Sequence, residues 1–251
     1  MKSDIAAAAR CLSHVDRLVV LTGAGVSKES GIATFREAQD GLWAQYDPME
    51  MATEEGYLRN PALVWAWYEY RFGMVATAQP NDGHRAIAAL EDLIPHVTVV
   101  TQNIDGLHQA AGSTRVIELH GSIRRYKCIT GRHEGFSPDD FANQPEKPPR
   151  CPHCGDLLRP DVVWFGEYLS ERVLTAAYDA CMSCQAMLVV GTSGVVQPAA
   201  SLPYLAARSG AQVIDVNPEP DEISEMAGIF LQGPGGVVLP QVVAAMRSNK
   251  V

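Results

Sequence analysis

The chain has 251 residues, 47% of them hydrophobic and 20% charged, enough for one substantial core and a balance that excludes a wholly disordered protein. Its formal net charge of −9 disfavours phosphate backbones and anionic lipid and suits basic peptides, and there is no basic run to make a local exception. No apolar stretch approaches the roughly 20 residues of a membrane span, and the N-terminal stretch carries Asp4, Arg10 and Asp16 where a signal peptide needs an unbroken apolar core. Nucleic acid and membrane are thus not expected as partners, and the expected location is cytoplasmic.

The predicted elements alternate. An amphipathic N-terminal helix feeds a first strand, Arg17 to Leu21, followed by the turn TGAG. Further strands are predicted at Val97 to Thr101, Val116 to Glu118, Ala186 to Val190 and Gln212 to Val216, with a last one near Ile229. Polar clusters follow them: QNIDG, HGS, GTSG and NPEP. Short β-branched runs alternating with helical segments imply an α/β fold with a parallel sheet and helices on both faces. In such sheets ligands sit outside the carboxyl ends of the strands, so these clusters are candidates for one shared site. Two stretches break the pattern. Residues 37–79 read as helical and aromatic, with Trp43, Trp65, Trp67, Tyr68 and Tyr70. Residues 122–160 are polar, Pro-rich and cysteine-bearing. Both are expected as insertions forming a small domain beside a large one built from 1–36, 80–121 and 161–251.

The turn Thr22-Gly23-Ala24-Gly25-Val26-Ser27 places glycines after a buried strand, where the backbone can approach a pyrophosphate. The third glycine, Gly31, comes late for the usual dinucleotide fingerprint, which argues against a hydride-transferring dehydrogenase. Read alone, this turn is equally an ordinary strand-to-helix connection, and a histidine such as His120 is more often packed than catalytic.

The motifs GAGVSKESGIATFR, TQNIDGLH, ELHGS, GTSG and DVN follow one another in an order that resembles the sirtuin family, from about Leu18 to Leu239. The resemblance implies a Rossmann-like domain, a small inserted domain with a helical and a zinc-ribbon-like module, and NAD bound in the cleft between them. It implies that the chain is an NAD-dependent protein-lysine deacylase acting on acyl-lysine proteins or peptides. His120 is then the base that deprotonates a ribose hydroxyl. Gly23, Ala24, Gly25 and Ser27 join the NAD site, with Thr34, Phe35 and Arg36 in a covering segment. Gln102 and Asn103 contact the nicotinamide ribose, Ile104 and Asp105 the carboxamide, and Gly191, Thr192, Ser193 and Asn217 the adenosine ribose and phosphates. Val163, Trp164, Phe165 and Gly166 are the expected peptide strand.

Tyr68 and Arg71, at i and i+3, share a helical face, where a phenol and a guanidinium suit a carboxylate. The Tyr-x-x-Arg pair resembles the sirtuin class that removes succinyl or malonyl groups. An ordinary deacetylase, a mono-ADP-ribosyltransferase and a non-catalytic NAD-sensing module remain as alternatives.

The six cysteines are Cys11, Cys128, Cys151, Cys154, Cys181 and Cys184, not a disulfide framework in a domain of this size. Sirtuins carry two Cys-x-x-Cys pairs on a structural zinc. Here Cys151 and Cys154 make one pair, while Cys128 stands alone with Gly131 at its partner's place. Either His133 completes a Cys₃His set, which zinc accepts, or the metal is weakly held or absent. Cys181 and Cys184 are expected to be buried packing.

Overall fold

The computed structural model describes residues 2–32 and 46–249. Its strands are β1 (Arg17–Thr22), β2 (His96–Thr101), β3 (Val116–Glu118), β4 (Gly121–Cys128), β5 (Glu134–Phe136), β6 (Leu158–Val162), β7 (Ala186–Val190), β8 (Gln212–Asn217) and β9 (Ile229–Gln232). The helices are α1 (Lys2–Leu12), α2 (Pro48–Met51), α3 (Glu54–Arg59), α4 (Pro61–Thr77), α5 (Asp82–Ala89), α6 (Leu107–Ala110), α7 (Glu171–Ser183), α8 (Leu202–Arg208), α9 (Glu222–Met226) and α10 (Gly235–Asn249).

The main sheet is parallel, in the order β3-β2-β1-β7-β8-β9. The chain starts in the middle, builds outward to one edge, then returns and builds to the other, as in doubly wound dinucleotide-binding sheets. Central strands β1 (RLVVLT) and β7 (AMLVV) are continuous apolar runs because both of their faces are covered. Leu18 and Val20 face a core with residues of α1, α5 and α10. Val19 and Leu21 face the opposite core, with residues of α7, α8 and α9. Helix α1 buries Ile5, Ala8, Ala9 and Leu12 at helical spacing, and burying a leucine such as Leu12 contributes about 1.5–3 kcal/mol.

Register decides where a site can form. Thr22 pairs with Thr101 of β2 and with Val190 of β7. Thr101 pairs with Glu118, and Val190 with Val216. The carboxyl ends therefore finish level along one edge, bringing together clusters that are far apart in sequence.

Beside this edge lies the antiparallel sheet β5-β4-β6, with α4 against it. Helix α4 starts on an Asn60 cap, whose side chain accepts from the Leu63 N–H at 3.2 Å, with Pro61 in its first turn. Its aromatic residues face two ways. Trp65 packs with Tyr126, Cys128, Phe141, Cys151 and Leu158; Trp67 and Tyr68 pack with Ile123, Val162 and Trp164. A helix buried on two sides needs apolar residues over most of its surface, which explains the WAWYEYR run. Among the described residues no helix is long and apolar enough to cross a membrane.

The glycine turn leads into a 3₁₀ helix, Ala24–Ser30, ended by Gly31 at φ +80°. A side chain at that φ is strained, so the late glycine is what stops the helix.

Candidate active site

The strand-end residues form one connected hydrogen-bond web. Gly23 N–H donates to the Val190 carbonyl at 3.2 Å and Gly25 N–H to the Gly191 carbonyl at 2.8 Å. The fit between these two turns is tight. A Cβ on Gly25 would lie 2.6 Å from the Gly191 carbonyl oxygen, so only glycine lets the two loops meet. Gln102 Nε2 donates to Thr192 Oγ1 at 2.9 Å, and Asn217 Nδ2 donates to the Thr192 carbonyl at 3.0 Å and to Asp221 at 3.1 Å. Ser193 is exposed at the same edge.

Ser27 lies at the centre of the other half. Its hydroxyl donates to Asp105 Oδ2 at 2.8 Å and accepts from Asn103 Nδ2 at 3.0 Å. Asp105 is buried, and its second oxygen accepts the Leu107 N–H at 2.8 Å. This carboxylate therefore anchors Ser27 and the start of α6, with lone pairs left over for a further donor. The Ile104 carbonyl accepts from the Ile123 N–H at 3.0 Å, tying the cluster to β4.

His120 follows β3. A ring nitrogen, Nδ1, donates to the Gln102 carbonyl at 3.0 Å, which leaves Nε2 as the acceptor. Burial lowers its pKa below the ordinary histidine value, with the Gln102 bond opposing that shift. Near neutral pH the ring is thus an uncharged, oriented base.

Tyr68 and Arg71 do share a face of α4. Tyr68 is buried, and burial raises its pKa to about 12. Arg71 is half-buried, its guanidinium carbon 5.0 Å from the Trp67 ring centroid. A guanidinium and a protonated phenol side by side in a partly dry site make a pair of donors for a carboxylate.

β6 ends at Val162, and the segment expected to meet the peptide, Val163, Trp164, Phe165 and Gly166, follows it in a turn. Val163 N–H donates to the His120 carbonyl, Trp164 N–H to Glu167, and Phe165 N–H to the Ala52 carbonyl. Those donors are spent inside the protein because the segment fastens β6 to the His120 loop and to α2. Trp164 is turned inward, 2% exposed, so its side chain is not on a peptide-facing surface.

Thr34, Phe35 and Arg36 lie outside the described residues, as does Trp43.

The four candidate metal ligands lie together. Ligand atoms of Cys128, His133, Cys151 and Cys154 all lie within 4.8 Å of one another. His133 Nδ1 is 3.5 Å from Cys151 Sγ and 3.9 Å from Cys128 Sγ. A tetrahedral zinc with ordinary Zn–S and Zn–N bonds has ligand edges of about 3.6–3.8 Å, so the set fits. Gly131, at φ +68°, closes the turn that carries His133 back to Cys128. Burial pushes the Cys128 thiol up, but hydrogen bonds from Thr130 and His133 outweigh it and hold its pKa at about 6. Cys181 and Cys184 are buried against the sheet at the end of α7, away from this group.

Sequence reasoning passed over the Arg159–Glu167 pair, the Trp164–Tyr68 contact and the buried Asp215. None carries a sequence signal, since each depends on strands and loops brought together by folding.

The level strand ends, the glycine approach and the oriented histidine define a dinucleotide-binding α/β protein with a basic group at its cleft. The Sir2 family model matches residues 23–198. An NAD-dependent protein deacylase 1 from Pseudomonas aeruginosa is 50% identical over 239 residues, covering 92% of this chain and 95% of its own. A Sir2 homologue solved in complex with NAD superposes with a TM-score of 0.90 at 42% identity, covering 97% of this chain and 94% of that one. A second solved structure, Sir2Af2 bound to a myristoylated histone peptide, has a TM-score of 0.79 at 38% identity over 100% of this chain and 99% of its own. The chain belongs to the Sir2 family.

Proposed function

We propose that this chain is an NAD-dependent protein-lysine deacylase that removes succinyl and malonyl groups in preference to acetyl, releasing nicotinamide and O-acyl-ADP-ribose. Its substrates are acyl-lysine-bearing proteins or peptides. The cytoplasm suits it, because thiol metal ligands stay reduced there. The family supports the general activity. The acidic-acyl preference rests on one observation: a buried Tyr68 and a half-buried Arg71 share one face of α4. A partly desolvated guanidinium beside a phenol suits a carboxylate better than a neutral acyl group.

The residues divide as follows. Gly23, Ala24 and Gly25, with Gly191, Thr192, Ser193 and Asn217, form the phosphate and adenosine side, and Ser27 joins the NAD site beside Asn103 and Asp105. Gln102 and Asn103 hold the nicotinamide ribose, and Ile104 and Asp105 the carboxamide. NAD, when bound, supplies an activated ribose carbon with nicotinamide as its leaving group. His120 then takes a proton at Nε2 from a ribose hydroxyl, while the Gln102 carbonyl holds its Nδ1–H and fixes the tautomer. The carbonyls of the Val163, Phe165 and Gly166 stretch receive the peptide backbone. The large domain comprises 1–36, 80–121 and 161–251, and the small one 37–79 and 122–160, with a structural zinc on Cys128, His133, Cys151 and Cys154.

Incubation with NAD and matched succinyl-, malonyl- and acetyl-lysine peptides, read by nicotinamide release, tests the proposal. Faster release with the acidic peptides is expected. A better acetyl substrate would overturn the preference, and no release from any of them would overturn the activity.

A further inference from the structure

One contact joins the turn after β6 to the acyl-facing side of α4. The Trp164 indole N–H donates to the Tyr68 hydroxyl oxygen at 2.8 Å, and both side chains are buried. A phenol oxygen that accepts in this way still has its own proton to donate, and accepting strengthens it as a donor. Burial keeps that proton in place through the neutral range.

The indole is itself held on several sides. The Arg159 guanidinium carbon lies 3.2 Å from the Trp164 ring centroid. Arg159 is ion-paired to Glu167 and donates to the Val162 carbonyl at 2.6 Å. Glu167 in turn accepts the Trp164 backbone N–H at 2.9 Å. Tyr57 packs against the indole with ring centroids 5.3 Å apart. An indole so confined keeps its N–H on the Tyr68 oxygen, so the phenolic proton must point elsewhere, and Arg71 is the neighbouring cation one helical turn along.

We propose that Trp164 is a positioning residue for acyl specificity: its indole N–H occupies the acceptor side of Tyr68 and fixes that hydroxyl as a donor to the terminal carboxylate of an acidic acyl group. The proposal rests on the acidic-acyl reading above. A hydroxyl left free to rotate could present a lone pair to the carboxylate, which repels it. An acetyl group has no terminal oxygen for this donor, so losing the Trp164 bond should weigh on acidic substrates selectively.

The test is steady-state kinetics at saturating NAD for wild type, Trp164→Phe, Tyr68→Phe and the double variant, on succinyl and acetyl forms of one peptide. Phenylalanine keeps a ring beneath Arg159 and removes the N–H. For Trp164→Phe the succinyl-to-acetyl ratio of kcat/KM is expected to fall roughly tenfold, as for one lost hydrogen bond to a charged group, with the fall carried by the succinyl KM. The double variant is expected to show the ratio of Tyr68→Phe alone. Equal losses on both peptides, an unchanged ratio, or additive effects in the double variant would each overturn the proposal. Should Trp164→Phe fail to fold, benzothienylalanine at position 164 keeps the indole shape without the N–H and is read the same way. A wild-type preference for acetyl would remove the acidic-acyl reading and this inference with it. A succinyl preference that survives loss of the indole N–H would remove only the role of Trp164.

Discussion

His120 Nδ1 donates to the backbone carbonyl of Gln102 at 3.0 Å, across the gap between the ends of β3 and β2. This bond fixes which nitrogen is left to accept a proton, while burial lowers the pKa from the usual histidine value of 6.5. A base with a lowered pKa is neutral, and so active, to a lower pH than an exposed histidine. The acid limb of the kcat/KM profile should therefore have its midpoint below about 6.5, and His120→Ala should lower kcat by roughly 100-fold or more with the fold intact. An acid limb centred clearly above 6.5 would argue that another group is the base.

Arg71→Met keeps length and apolar bulk while removing the charge. Desuccinylation should fall roughly 10- to 100-fold, the usual cost of a lost charge-assisted pair, and deacetylation should hold or improve. Competition between succinyl and acetyl peptides in one reaction, resolved by mass spectrometry, measures the change. Intact desuccinylation in the variant would place the carboxylate elsewhere.

Metal content should respond to position 133. Zinc bound by three thiolates and an imidazole is expected in the purified protein, and His133→Ala should release it at a lower chelator concentration and lower the melting temperature, because Trp65, Tyr126 and Phe141 pack on the same cluster as Cys128 and Cys151. Elemental analysis beside a melting curve tests this. Equal zinc retention in both proteins would mean that His133 is not a ligand.

Asp215 is fully buried in β8, and neither carboxylate oxygen has a well-formed hydrogen bond among the described residues. Burial, reinforced by the charge of Asp221, raises its pKa from 3.8 to about 7. The folded state therefore keeps a proton that the unfolded chain loses near pH 3.8. Stability falls as pH rises between these values, and the cost is complete above pH 7. Asp215→Asn cannot ionise and should match wild type near pH 4, yet exceed it at pH 8 by on the order of 2 kcal/mol. Melting curves at both pH values decide the point; a gain that is equal at the two would rule out the buried proton.

Much of the frame could be read directly. The expected strands Val116 to Glu118 and Ala186 to Val190 have those bounds in the structure, because apolar runs flanked by polar turns announce buried strands. That the helix after β1 is a short 3₁₀ helix was not legible, since the left-handed glycine that stops it looks like any other glycine in a sequence. Which backbone groups after β6 are spare was not legible either, because the partners of the Val163 and Phe165 N–H groups, His120 and Ala52, are remote in sequence.

By itself the sequence determined the α/β alternation, the strand-end clusters and the Tyr68–Arg71 face, because hydrophobic period and i, i+3 spacing are local properties. Only the tertiary structure decided that His133 reaches Cys128 and Cys151, that Asp105 turns inward to hold Ser27, and that Trp164 meets Tyr68. Those contacts form when β4, β6 and α4 close on one another and on the sheet edge. A hydrogen bond between groups 96 positions apart leaves no period in the chain to be read.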